Sequence, residues 1–398
     1  MKILCLAGLA FALAPLAAAQ SIHVVDETGA GGAFLEIQDA VDVAAAGDLV
    51  LVQTGSYSGF SVLAKGLTVA ADSGAAVVVN SIVRVRDLPV GSEVTLSGMT
   101  ISVPPGFPLP FNALSMTNCA GFVLVQDMTL DGGPEAGRLT NCAAVSFVSC
   151  DIASSIDGAP GVFVQDSQAF FHDSSIQGGA GNMGDTFQIG GFEGGPGLWV
   201  VADSTVLVVG CDVAGGPGGP GLLGHPLMPF GGDGGPAVKM SGTNPSVTYA
   251  STYVGGAGGS SENPLNFGDP GPVYTGVPGL LTTTTNVERQ LVTDSVLRVG
   301  DMSSIKFVGV PFDFTWHLFA IETGTVVYMP DILGAFYPGG ATLLVEYRGR
   351  LKASGMKTLS FTLSSLGITY VPVFQQALMY NATEGFVASN PRQVVLLD

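Results

Sequence analysis

The sequence predicts an all-β chain built mainly as a parallel β-helix, and three observations predict it. One pattern is written three times, at residues 158–181, 194–219 and 234–259. Strand ends recur at a bare step of 22–24 residues. Composition then changes abruptly near Pro278. Each copy of the pattern has a Gly/Pro opening, an apolar strand, a polar corner and a glycine-rich run. A period of this size is that of a solenoid, in which each turn buries its apolar face on the next.

The apolar residue ending each strand serves as a register mark: Ile101, Leu130, Ile152, Ile176, Val213 and Val254. The steps between them are 29, 22, 24, 37 and 41 residues. The longer steps hold visible inserts, PPGFPLP after Ile101 and glycine-rich runs after Ile176 and Val213. An independent check is TNCA, at Thr117–Ala120 and again at Thr140–Ala143, which places the two copies on top of each other one coil apart.

Residues 1–19 read as a secretory signal. Lys2 supplies the positive start, Ile3 to Ala14 the apolar centre, and Ala17, Ala18 and Ala19 the small-residue cleavage site. The chain as a whole is poor in charge, at 12% charged residues with 57 glycines and a formal net charge of −18, which losing Lys2 with the signal makes −19. That acidity argues against nucleic acid and anionic membrane surfaces as partners. No later stretch is long and apolar enough for a membrane span. After the signal, four cysteines remain: Cys119, Cys142, Cys150 and Cys211. Cys119 and Cys142 fall one coil apart, at a distance that permits a disulfide, although stacked in-register cysteines often stay thiols. Cys150 and Cys211 flank the Ser174 coil and are too far apart to bridge. No metal-type cysteine spacing occurs.

Residues 34–57 place Leu35, Ile37, Ala40, Val41 and Ala44 at helical spacing, stopped by Gly47-Asp48 before a strand from Leu49 to Val52. With Gly47, Asp48, Val50, Val52, Gly55 and Tyr57, this stretch resembles the start of right-handed parallel β-helix proteins of the pectin-lyase-like superfold. The resemblance covers roughly residues 30–280 and implies an amphipathic helix capping the first coil. The fold class is then all-β: a right-handed parallel β-helix with an N-terminal capping helix, followed by a small antiparallel β-sandwich. Function does not follow from it, because the superfold carries lyases, hydrolases, adhesins and passive scaffolds.

Two-residue alternation, counted back from Ile152, Ile176 and Val213, turns Cys150, Ser174 and Cys211 inward. It turns Asp151, Asp173 and Asp212 outward, and Asp127 joins them by its offset from Leu130. The four carboxylates form a possible ligand face. Asp151 and Asp173, on neighbouring coils, are a low-affinity Ca²⁺ candidate, since hard cations take carboxylate oxygens. No other cofactor is implied. A solvated acidic face is the competing reading. The same alternation points His172 inward, as a core histidine. The inserts at 178–195, 215–235 and 255–271 lack the strict three-residue period of collagen and fit no calcium-binding nonapeptide. They are expected as stacked loops on one side of the solenoid.

From Leu280 onward the glycine motif vanishes and eight of the 14 basic residues appear: Arg289, Arg298, Lys306, Arg348, Arg350, Lys352, Lys357 and Arg392. Short alternating strands there predict the sandwich. The ending from Phe374 to Leu396 resembles the C-terminal sandwich of exported bacterial β-helix proteins. The expected organisation is a signal at 1–19, a β-helix at 20–278 and a sandwich at 279–398 that covers the C-terminal end of the helix.

The expected function is a secreted or cell-surface scaffold that contacts extracellular polysaccharide or cell-envelope components without catalysis. A polysaccharide lyase must neutralise a uronate and abstract a proton. Between residues 87 and 280 the basic residues are Arg138 and Lys239 alone, several coils apart. The NTD, DD and GHG signatures of glycosidases on this fold are absent, and the histidine of GHP at 224–226 lies in an insert. A carbohydrate-active enzyme, lyase or glycosidase, using the acidic face is the alternative.

Overall fold

The computed structural model describes residues 20–398 apart from 104–111, 156, 186–189, 223–228, 322–331, 334–336, 338–342 and 366–368. The signal segment, the PPGFPLP insert and the GHP histidine lie outside the described residues. Three parallel sheets run the length of the solenoid, one strand from each per coil. Sheet A has ten strands, from Ile22–Val25 to Leu281–Thr284. Sheet B has eight, from Gly55–Tyr57 to Thr252–Val254. Sheet C also has eight, from Ser61–Leu63 to Tyr274–Thr275. The parallel β-helix therefore starts at Ile22 and its last strand ends at Thr284.

The register follows the sequence marks closely. Ile101, Leu130, Ile152, Ile176 and Val213 stack in one column of sheet B. The sixth mark is corrected: Val213 pairs with Tyr253, and Val254 is one residue past it and 55% exposed. The tyrosine takes the inner position because its hydroxyl finds Thr248 Oγ1 at 2.5 Å. The TNCA copies do stack, with Thr117 opposite Thr140. Inside, aliphatic side chains from all three sheets form one continuous core. Phe147 and Phe171 stack there with ring centroids 5.0 Å apart.

The capping helix α1 (Ile37–Val43) closes the first coil. Ile37, Ala40 and Val41 join the core, replacing the neighbouring coil that a first turn lacks. Lys65 Nζ donates to the carbonyls of Val41 and Ala44, a cation placed on the helix C-terminus. Asp48 follows the stop at Gly47 and accepts from the amides of Ser21 and Ala45.

The C-terminal region forms a three-stranded antiparallel sheet packed against a larger, mainly antiparallel one. Leu291, Ile305, Phe307, Leu351, Ala377 and Met379 fill the space between them. Inside this sandwich Arg289 pairs with Asp313 at 2.7 Å, both side chains fully buried, and also with Glu384.

Among the described residues the sandwich packs along the outer face of sheet A, whereas a position over the C-terminal end of the solenoid was expected. Phe122, Leu124, Val148, Phe170, Leu207 and Val209 point outward from sheet A and are buried with Tyr337 and Phe374 of the sandwich. A second apolar cluster joins Leu49, Leu51 and Ala70 to Val296, Tyr370, Val395 and Leu397. Polar contacts fix the seam: Gln126 and Gln393 exchange hydrogen bonds at 2.9 and 3.0 Å, and Arg298 grips Asp72. The physical reason is legible afterwards. Strands such as FVLVQ and TVLVV are apolar on both faces, the mark of a sheet covered on both sides.

Candidate functional site

Between sheets A and B each coil from the third on turns through one residue with left-handed backbone: Gly98, Asp127, Ser149, Asp173, Gly210 and Ala250, with φ between 49° and 75°. Asn118, Asn141 and Asp166 turn the corner between sheets C and A in the same conformation. Asn and Asp tolerate it better than other non-glycine residues. The stacked asparagines bond down the column, Asn141 to Asn118 at 3.0 Å and Asn118 to Asp87 at 3.1 Å.

Each corner residue interrupts strict alternation, and this corrects two expectations. His172 pairs with Val148 and Val209, which point outward beneath the sandwich, so it faces outward too. It is buried, without a hydrogen-bond partner at Nε2, and burial holds its basicity down to about 3. The four carboxylates, in turn, belong to two columns. Asp127 and Asp173 are corner residues with Ser149 between them. Asp151 and Asp212 stand exposed on sheet B, separated by Ser175.

The two columns meet different surroundings. Asp127 accepts from Arg392 Nη1 at 2.7 Å and from Ser295 Oγ at 2.6 Å, both from the sandwich. Arg392 also donates to Ser149 Oγ at 2.7 Å. Ser149 in turn donates to Asp173 Oδ2 at 3.3 Å. Burial pushes the Asp173 carboxyl up. One coil on, the Glu288 carboxylate lies directly over Gly210, where an added Cβ would meet it at 2.1 Å. Burial pushes Glu288 up to about 7, with Asp173 adding to the rise. Asp151, the other half of the proposed Ca²⁺ pair, aligns with Ser175 and not with Asp173. Among the described residues no three His, Cys, Asp or Glu side chains are grouped to hold a metal ion.

All four cysteines are buried free thiols. Cys150 and Cys211 do share a column with Ser174 between them. Ser174 Oγ accepts from the Cys150 amide at 3.1 Å, and the Cys211 amide donates to Ser251 Oγ at 3.1 Å. Burial pushes the Cys150 thiol up to about 12, which removes its nucleophilic form.

The glycine-rich inserts leave sheet B, run outward and return to sheet C, and they pack into one hydrogen-bonded lattice. The amides of Gly178, Gly181 and Gly184 donate to the carbonyls of Ala214, Pro217 and Pro220. The amides of Gly215, Gly218 and Gly221 donate to those of Val254, Ala257 and Ser260. Returning segments do the same: Gly191, Gly194 and Gly197 donate to Phe230, Asp233 and Pro236. A second set of bonds crosses between outgoing and returning segments, running from Gly195 to Gly179, Gly216 to Gly195, Gly235 to Gly216, Gly256 to Gly235 and Gly271 to Gly256.

A donor every third residue matches backbone of the polyproline type, three residues per turn with no internal bonds. A three-residue period is therefore present after all, as paired glycines followed by one other residue, seen in GGPGGPG at 215–221. Glycine is needed here for close approach. An added Cβ would meet a neighbouring carbonyl oxygen at 1.9 Å at Gly216 and 1.8 Å at Gly219.

Sheet C presents a different outer face. One column carries Arg84, Ser115, Arg138, Phe163, Trp199 and Lys239 in unbroken register. Arg138 lies 4.7 Å over the Phe163 ring, Phe163 meets Trp199 edge-on at 5.3 Å, and Lys239 lies 4.7 Å over Trp199. Glu135 accepts from Arg138 at 2.9 Å. Sequence spacing alone leaves Arg138 and Lys239 several coils apart and unrelated. The repeats held the signal: GVFVQ, GLWVV and AVKMS put Phe163, Trp199 and Lys239 at one position.

No protein-family model matches the chain, and no curated protein matches it. Among solved structures, superoxide reductase (neelaredoxin) from Ignicoccus hospitalis aligns with 27% of this chain and 80% of its own, at 8% identity and a TM-score of 0.17. A likeness of that size carries no argument about fold or activity.

Proposed function

We propose that the protein is an exported, non-catalytic β-helix scaffold of the pectin-lyase-like kind, presenting its surface to extracellular polysaccharide or the cell envelope. One observation carries the reading: the acidic face is divided, with Asp127 and Asp173 at the seam between solenoid and sandwich and Asp151 and Asp212 apart from them on sheet B. Asp127 is committed to Arg392 and Ser295, and Asp173 to Ser149. Asp151 and Asp212 stand on an exposed strand face, while Arg138 and Lys239 belong to another sheet. β-Elimination needs a cation and a base at one uronate; Arg138 and Lys239 lie on another sheet from the carboxylates, and Arg392, the cation beside Asp127 and Asp173, is buried and engaged by Asp127 and Ser149. Export rests on the segment at 1–19. Among the described residues no helix is long and apolar enough to cross a membrane.

One observation favours the alternative, a carbohydrate-active lyase or glycosidase. Glu288, with its raised proton affinity beside Asp173, has the character of a general acid paired with a second carboxylate. The test is turnover on pectate, alginate and neutral glycans, with and without millimolar Ca²⁺, following double bonds and reducing ends. The scaffold reading expects none. Turnover abolished by Glu288→Gln or Asp173→Ala in a folded protein would establish the enzyme.

A further inference from the structure

We propose that the outer face of sheet C is a binding strip for an anionic polysaccharide, contacted through Arg138, Phe163, Trp199 and Lys239. This rests on the glycan-contacting reading above and names its site. Arg138 and Lys239, the two basic residues between positions 87 and 280, stand in one column with both aromatic rings between them. They lie three strand spacings apart, about 14 Å. All four side chains are partly exposed.

Charge complementarity selects the ligand. The chain carries a net charge of −18, yet no strand of sheet C contains Asp or Glu, and the charged residues on its strands are Arg84, Arg86, Arg138 and Lys239, of which Arg138 shares its charge with Glu135 just before its strand. Sheet B has the opposite balance, with Asp131, Asp151 and Asp212 on its strands and no basic residue. A cationic face on an acidic body orients an anionic ligand toward itself. The rings hold the cations by cation–π contact and keep their positions along the column fixed. Beside this column runs a second outward row, Thr117, Thr140 and Gln165. Its neutral donors and acceptors suit hydroxyl groups, which every sugar ring carries and an acidic peptide backbone does not.

The experiment uses the mature full chain with Trp316→Phe, which leaves Trp199 as its one tryptophan. Its fluorescence is titrated with a galacturonic acid oligomer, the carboxyl-reduced oligomer of equal length, and polyglutamate. The acidic oligomer is expected to give a saturable, salt-sensitive change. The reduced oligomer and polyglutamate are expected to bind far more weakly. Charge-assisted hydrogen bonds make Arg138→Gln and Lys239→Gln each weaken binding about tenfold.

Melting curves confirm that the variants fold, and Lys239→Arg, which keeps the charge, is expected to retain binding. A double Gln variant that binds like the parent overturns the strip and leaves the glycan-contacting reading standing. Polyglutamate binding as tightly as the sugar overturns polysaccharide as the occupant. A parent that binds neither oligomer, nor any glycan on a broad array, overturns both the strip and the reading beneath it.

Discussion

The coil and the glycine lattice are two ways of stacking the same chain, and they hold together by opposite means. In the coil, each turn buries Val, Ile, Leu and Phe against the next, and the hydrophobic effect supplies most of the stability. In the lattice there is almost no side chain to bury. Its segments touch backbone to backbone, and each amide spends its hydrogen bond on a neighbour. Such bonds contribute about 0.5–1.5 kcal/mol each in net terms, against the large entropy of ordering glycine. The lattice is ordered because every segment is anchored at both ends by a strand of the coil. The lesson is one of hierarchy: the coil folds the lattice.

That comparison can be broken at four points. The largest effect is expected in the coil. Phe171→Ala removes one ring of the stacked pair and is expected to cost about 3–5 kcal/mol. It should lower the melting temperature of coil and lattice together, read by hydrogen exchange at both. Separate loss of one region would contradict the dependence of lattice on coil.

The second break is local. Gly219→Ala drives a Cβ against the Asn182 carbonyl oxygen and is expected to cost about 1–3 kcal/mol. Exchange should quicken at Gly232 and Gly259, which bond to this layer, while the coil amides of Val206–Val209 keep their protection. Loss of coil protection would show that the lattice supports the coil.

The third concerns the seam, where the apolar outer face of sheet A ends in charge. Glu288 binds its proton more tightly in the folded protein, at about 7 against an ordinary 4.5. At this group the unfolded chain therefore binds fewer protons between these values, and the Glu288 contribution to stability falls as pH rises from about 4.5 through 7, while His172 and His317, both held down to about 3 by burial, act the other way below their ordinary 6.5. The rise in Asp173 acts in the same direction. Arg392 and Asp127 are the other charges at this corner. Melting curves of parent and Glu288→Gln from pH 4.5 to 8 isolate the effect: the parent should lose stability relative to the variant as pH rises, because the histidines are common to both. An unchanged slope in that variant would exclude Glu288 as its source.

The smallest effect is expected at Pro217, the exposed residue between two glycine pairs. It contributes its carbonyl to the Gly181 amide, which Pro217→Ala retains. That substitution is expected to stay within about 0.5 kcal/mol in a thermal melt. A larger loss would mean that the side chain, and not the backbone alone, holds the lattice.

The sequence by itself determined the stacking. The step from Leu130 to Ile152 to Ile176 and the doubled TNCA fixed which residues lie above which, because a coil's length is set by its own apolar positions. Helix α1 was legible from spacing and its stop at Gly47. The tertiary structure alone decided which way residues face beyond each corner. A single left-handed residue such as Asp173 shifts the two-residue period, and nothing in the composition announces it. That shift turned His172 outward and divided Asp127 and Asp173 from Asp151 and Asp212. It also took the fold to show the sandwich lying along sheet A, since an apolar face and a coil end compete for the same cover. The column of Arg138, Phe163, Trp199 and Lys239 needed both levels. The repeats align three of its members, but inserts of different length separate them, and only closure of each coil brings the four into line.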